Sequence, residues 1–366
     1  MPASHTPKIP RLLVVQRRSM TDGRMSSRTI GARFAPLLSY MQRHQMIEWE
    51  QISEADVGVS HLHRFDVVLF NKHVSNLSLQ IMRMANELGL HTIYDLDDWL
   101  LDLPSWSVLE MNEDVLYNVL AMIREASAAT ASNPLLQERM RKVRRSDDVL
   151  IIPNGFDHQA FDLSPELWTE AQPPKIIFSN LDGIKLVHFR KDFFATLRSF
   201  LTRNEHVLID FWGDPFPELH SIPRVTHRGS RSNIEYKKAI RDEGYTFAIV
   251  PLGAEEDPET LFFNSCKSPI KYADYGSLGI PSIYSDCPTY RENVRHRVTG
   301  YIAPNTAEGW AQALEDMLHD APLRQAIREH AYADVFDRFS VRRISAMFLK
   351  ALPDPASNPS SRSLRN

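Results

Sequence analysis

Cysteine is nearly absent from this chain: Cys266 and Cys287 are the only two in 366 residues. That excludes a scaffold built on disulfides and makes the reducing cytosol the expected compartment. No apolar run reaches the roughly eighteen residues that a membrane-spanning helix requires. Residues 1–11 (MPASHTPKIPR) lack the apolar stretch of a signal peptide. Glycine is scarce where it would be diagnostic. The loop after the first strand candidate holds Gly23 alone, which is not the glycine repeat of a dinucleotide fingerprint. A net charge of -4 argues against a general nucleic-acid partner. His44, His61, His63 and His73 show no metal-ligand spacing with a cysteine and read as structural or exposed.

What is present is a soluble globular composition, 43% apolar and 24% charged, in a chain long enough for two domains. Residues 11–15 (RLLVV) form a strand candidate, followed by a polar loop and an amphipathic run from about residue 29. Further strands are expected at 46–49, 66–70 and 91–95, with a helix between the last two. Helices near 112–124 and 134–143 lead to VLIIPNGFD. The pattern then restarts with KIIFS at 175–179, a helix carrying Phe189, Phe193, Leu197 and Phe200, and strands in HVLIDFWG, RVTH and YTFAIVPL. Strands alternating with helices predict an α/β fold of two parallel-sheet, Rossmann-like domains. The first is expected over 1–165 and the second over 170–338. A last helix at 339–352 and a disordered tail at 353–366 complete the chain.

The most specific stretch is 262–304, FFNSCKSPIKYADYGSLGIPSIYSDCPTYRENVRHRVTGYIAP. Ser268 precedes a proline and reads as the N-cap of a helix, with Lys267 and Lys271 beside its positive end. This is an anion site in outline. Gly279, Pro281, Glu292, Thr299 and Gly300 follow in an order that resembles the nucleotide-binding half of the GT-B glycosyltransferases, in particular the large family of retaining enzymes usually numbered four. KSPIKY is similar to the version found in a sub-branch met in surface-polysaccharide gene clusters. The family's two signature glutamates are replaced by Cys266 and Asp274.

The resemblance implies two domains facing each other across a cleft, with the last helix crossing back to the first domain. It implies transfer of a sugar from a nucleotide-sugar donor to a hydroxyl of a glycan or lipid-linked glycan, with retention and without a metal or other cofactor. Lys267, Ser268, Lys271 and a choice among Lys185, Arg190 and Lys191 would hold the diphosphate. Asn264, Asp274 and Glu292 would contact ribose or sugar, though Glu292 could also cap its own loop. Asp97 stands where relatives offer a histidine, and with Lys267 and Lys271 it forms the expected catalytic set. Gly23, Ser26, Ser27, Arg28 and Asp95 are cleft or acceptor-loop candidates; the first four read equally as a solvated loop.

Two rivals come from the same residues. Asp95 and Asp97 spell the Asp-x-Asp that holds a metal in the other glycosyltransferase architecture, which would make the enzyme metal-dependent. Cys266 in place of a glutamate fits a binding protein that has lost transfer. The basic run at 138–145 (ERMRKVRR) reads either as a solvated helix face or as a contact with anionic lipid headgroups at the inner membrane surface.

Overall fold

Strand β1 (Arg11–Gln16) is buried along all but its first residue, and β3 (Val67–Asn71) throughout. Strands apolar on both faces need helices on both faces, which is the condition of a parallel sheet. The computed structural model describes residues 9–17, 28–105, 107, 111–161, 168–179, 184–253 and 257–353. It divides into two units. Unit 1 takes the described residues of Met1–Leu103, Ser107–Pro153 and Val341–Asn366, and unit 2 those of Pro104–Trp106 and Asn154–Ser340. The change of unit falls at residue 154, earlier than the end at 165 expected for the first domain. The tail expected at 353–366 lies outside the described residues, except for its first.

Unit 1 adds β2 (Glu48–Ser53), β4 (His91–Leu96), β5 (Ala128–Ala131) and β6 (Val149–Ile151) in the order β2-β1-β3-β4-β5-β6. Unit 2 holds β7 (Lys175–Ser179), β8 (Leu208–Trp212), β9 (Val225–Gly229), β10 (Phe247–Val250), β11 (Ser282–Ser285) and β12 (Tyr301–Ala303) in the order β12-β11-β10-β7-β8-β9. Every pairing in both sheets is parallel. The strand order reverses between β1 and β3 in unit 1 and between β7 and β10 in unit 2. Loops leaving these neighbouring strands diverge, so each reversal opens a crevice at the carboxyl edge of its sheet, where α/β folds bind ligands.

The helices are α1 (Arg28–Arg33), α2 (Ala35–Arg43), α3 (Val59–Leu62), α4 (Asn76–Glu87), α5 (Glu113–Glu125), α6 (Pro134–Arg144), α7 (Arg190–Arg203), α8 (Asn233–Arg241), α9 (Pro258–Ser265), α10 (Ile270–Ser277), α11 (Pro288–Arg291), α12 (Ala307–His319), α13 (Ala321–Phe339) and α14 (Val341–Phe348). Several begin on sequence-coded caps: Ser75, Asn112 and Asn133 each accept the N–H three residues on. Helix α14 belongs to unit 1, where Phe348 packs on Phe34 at 6.0 Å between ring centroids. Among the described residues, no helix is long and apolar enough to cross a membrane.

Helix α10 starts one residue later than its sequence suggests. Its N-cap is Pro269, with no side-chain cap, and Ser268 Oγ instead accepts from Asn154 Nδ2 at 2.7 Å. The Pro269 carbonyl takes the N–H of both Tyr272 and Ala273, which closes the first turn without Ser268. The other end of α10 stops on Gly279, whose φ of +66° is a left-handed conformation that glycine adopts without penalty.

Candidate functional site

The crevice of unit 2 lies beyond the ends of β7 and β10. Ser179 is the last residue of β7, and α10 brings Lys271 onto it: Lys271 Nζ donates to Ser179 Oγ at 2.9 Å and to Tyr236 Oη at 3.4 Å. The ammonium also stands over the rings of Tyr236 and Tyr275, at 4.8 and 5.4 Å from their centroids. Those two hydroxyls meet at 3.0 Å. Burial holds the Tyr275 phenol far above its usual pKa, reinforced by the neighbouring Tyr236, so the Tyr275 ring stays a neutral donor. Lys271 is half-buried and has no carboxylate partner among the described residues. Two aromatic faces stabilise an ammonium by about 0.5–2 kcal/mol each, well short of what an opposite charge supplies. Its charge is met by hydroxyls and ring faces rather than by a carboxylate.

Around it the expected donor residues divide. Lys267 is half-buried with Nζ 4.1 Å above the Phe263 ring. Ser268, tied to Asn154, lines the same turn. Lys191 is exposed on the first turn of α7, and the side chain of Lys185 lies outside the described part. Arg190 does not stand ready for phosphate, because its guanidinium forks onto Glu218 with two bonds of 2.7 Å and covers the Phe216 ring.

Of the three ribose and sugar candidates, two are already committed to other partners. Asp274 is 3% exposed and pairs at 2.7 Å with Lys237, which is 2% exposed. A buried carboxylate requires a charge partner, and Lys237 supplies it from α8, so Asp274 joins two helices rather than facing a ribose. Asn264 is fully buried: Nδ2 donates to the Gly253 carbonyl at 2.8 Å, and its own backbone carbonyl accepts from Thr289 at 2.6 Å. It pins the loop after β10 instead of reaching for a sugar. Glu292 is exposed and forms the C-cap of α11. Cys266 is buried, so the position of the missing glutamate is part of the interior.

In unit 1 the strand end YDLDDW is also rearranged. Asp95 is wholly buried and accepts four hydrogen bonds: from Arg33 Nε and Nη2 at 2.6 Å each, from Asn71 Nδ2 at 2.8 Å and from Thr130 Oγ1 at 2.6 Å. Burial and the Asp95 pair act in opposite directions on Arg33, and its pKa ends above the ordinary value. A carboxylate with four donors has no lone pair left for a cation, so Asp95 is neither a cleft contact nor half of a metal-binding Asp-x-Asp. Among the described residues, no group of three or more His, Cys, Asp or Glu is arranged to hold a metal. Asp97 is half-buried, with Oδ1 3.2 Å from Lys72 Nζ and 3.3 Å from Asn71 Nδ2. Gly23, Ser26 and Ser27 lie outside the described residues; Arg28 opens α1, its side chain likewise undescribed.

Two cations of the basic run at 138–145 have close carboxylate partners. Lys142 pairs with Glu138 at 2.5 Å, and Arg144 binds Asp148 and the carbonyls of Ile123 and Ala126. Arg144 is therefore a staple between α5 and α6, not a free charge for a lipid surface. Sequence reasoning missed Arg33, Lys72, Ser179, Tyr236 and Lys237. Only Ser179 carried a signal, as a polar residue ending an apolar strand; the others depend on which helix packs where.

Comparison with known proteins bears on the segment and on the fold. Residues 268–334, which include Lys271, Asp274 and Glu292, match the family described as glycosyl transferases group 1. No curated protein sequence matches the chain. Solved structures share the fold over nearly the whole length. Anabaena Alr3699/HepE in complex with UDP and glucose superposes with a TM-score of 0.64 at 16% identity, covering 94% of this chain and 99% of that one. Sucrose-phosphate synthase from Thermosynechococcus elongatus gives 0.65 at 14% identity, covering 94% and 98%. A glycosyltransferase from Rickettsia africae ESF-5 gives 0.62 at 12% identity, covering 96% and 100%. The chain therefore carries a glycosyl transferases group 1 segment that includes Lys271, within two Rossmann-like units that share the GT-B fold of these solved structures.

Proposed function

We propose that this glycosyltransferase takes its sugar from a nucleoside diphosphate sugar, with UDP as the first nucleotide to test, and passes it to a hydroxyl of a glycan or lipid-linked glycan in bacterial surface-polysaccharide synthesis. The observation that carries the donor half is Lys271, half-buried beside Ser179 at the strand-order reversal of unit 2 and lacking a carboxylate partner among the described residues. As the bond from the anomeric carbon to the phosphate oxygen breaks, negative charge grows on the departing diphosphate. A fixed ammonium aimed there stabilises the transition state more than the ground state. The same growing charge lets the leaving oxygen take the proton of the incoming hydroxyl from the same face, which is the route to retention. No separate base is then needed. UDP is chosen because Anabaena Alr3699/HepE, of like fold, is known in complex with it.

The test is thermal unfolding with UDP and UDP-glucose, with and without EDTA. A nucleotide at about a hundred times its Kd adds roughly 2.7 kcal/mol, a rise of a few degrees. Stabilisation that EDTA does not remove and that Lys271→Met abolishes is the expected result. No shift with any nucleoside diphosphate would overturn the donor assignment.

A further inference from the structure

The carboxyl edge of unit 1 holds a second constellation that the donor site does not use. Lys72 follows β3 directly, next to the reversal between β1 and β3, and is 8% exposed. Its Nζ bridges Asp97 at 3.2 Å and Asp98 at 2.8 Å. Burial alone would lower its pKa, but the two carboxylates outweigh that and raise it, so the ammonium is permanent. Its backbone is unusual: φ is +52°, the left-handed region that residues with a β-carbon seldom enter. That conformation is clamped from both sides, the N–H donating to the Asp95 carbonyl at 3.0 Å and the carbonyl accepting from Arg17 Nη1 at 3.1 Å. Glycine would hold the same turn more easily. Strain kept at a ligand-binding edge marks a side chain whose placement matters.

Asp97 shows what is placed. Its Oδ1 takes both Lys72 Nζ and Asn71 Nδ2, whereas its Oδ2 has no partner among the described residues. One oxygen is anchored and the other is open at the edge. We infer that Lys72 is a positioning residue for the transfer step: by anchoring Oδ1 it turns Oδ2 of Asp97 toward a hydroxyl of a sugar bound at this edge. The inference rests on the transferase reading above, but not on the identity of the acceptor. Lys72 itself touches no substrate; it acts through Asp97, and Asp98 balances its remaining charge.

The experiment compares wild type, Lys72→Gly and Lys72→Arg by calorimetry with UDP and by the rate of UDP release from UDP-glucose, GDP and ADP sugars serving as alternative donors. Lys72→Gly relaxes the backbone but deletes the charged half of the anchor, leaving only Asn71 Nδ2 on Oδ1. The expected result is an unchanged UDP Kd with kcat reduced roughly a hundredfold, the scale of a misoriented reacting group. Lys72→Arg is expected to recover part of that loss. A Lys72→Gly enzyme that turns over at the wild-type rate would show that the lysine is only structural. If Lys72→Gly does not fold, Lys72→Gln takes its place with the same two outcomes. A wild type that neither binds UDP nor turns over any donor overturns the transferase reading and this one with it. With an active wild type, the rates of the Lys72 variants bear on the anchor alone.

Discussion

Lys237 Nζ lies 2.7 Å from Asp274 Oδ1, with both side chains closed off from solvent and the ammonium 4.8 Å above the Phe156 ring. The pair ties α8 to α10, the two helices that carry Tyr236 and Lys271, so the Lys271 ammonium is positioned by a buried salt bridge one turn away. Removing one partner of such a pair leaves an uncompensated charge in the interior. Lys237→Met is expected to cost about 3–5 kcal/mol in urea unfolding. Adding Asp274→Leu to it should restore most of that stability, because replacing both charges removes the penalty. If Asp274→Asn instead weakened UDP binding without any loss of stability, Asp274 would be a ribose ligand after all.

Two histidines make stability depend on pH. His73 and His158 have ring nitrogens without hydrogen-bond partners, and burial pushes each down to about 4 from the usual 6.5. The unfolded chain therefore takes up the proton first. Stability is full above pH 6.5 and falls as the pH drops toward 4, by roughly 1.4 kcal/mol per unit for each ring. Urea unfolding at pH 7.5 and pH 5 should differ by about 2 kcal/mol for each unit of the fold on this account. His73→Phe should flatten the slope for unit 1 and His158→Phe that for unit 2. An unchanged slope in both variants would place the titration elsewhere.

Much of the fold is legible because parallel strands are written as unbroken apolar runs. RLLVV, DVVLF, KIIFS and YTFAIVPL all correspond to central strands. The strand that sequence does not mark, β5, reads AATA, whose small residues make no such run; it exists because β4 and β6 flank it. The site is less legible for a physical reason. Residue type shows that Asp95, Asp274 and Arg190 can bind a ligand, but not that Arg33, Lys237 and Glu218 reach them first from other elements. Lys271 is readable as a cation at the head of a helix, while the tyrosines beside it, including Tyr236 thirty-five residues away, can only come from packing.

Gly279 offers a test of the packing around α10. With φ at +66° it already disfavours a β-carbon, and one placed there would fall against the ring of Trp168. The left-handed conformation alone costs a non-glycine residue about 1–2 kcal/mol. Gly279→Ala should exceed that figure, since Trp168 must also leave its edge-on contact with Tyr332. Thermal unfolding followed by tryptophan fluorescence reports both effects. A loss below about 1 kcal/mol would mean that the ring swings away freely.

Lys271 and Arg190 differ in whether a carboxylate already holds the charge. Both are candidates for the diphosphate by residue type, and composition cannot rank them. The structure gives Arg190 a bidentate carboxylate, Glu218, and lowers that carboxylate's pKa through the hydrogen bonds it accepts. Lys271 receives only a hydroxyl, a phenol and two ring faces. A bound diphosphate would find Lys271 available and would have to compete with Glu218 for Arg190. Lys271→Met is therefore expected to weaken UDP by roughly tenfold to a hundredfold, about 1.4–2.8 kcal/mol, with little change in stability. Arg190→Met should do the reverse, lowering stability modestly because the pair is partly exposed, while leaving the UDP Kd within about twofold. Calorimetry and urea unfolding on the two variants test both halves. If Arg190→Met abolished binding and Lys271→Met did not, the anion site would have to move from the end of β7 to the first turn of α7.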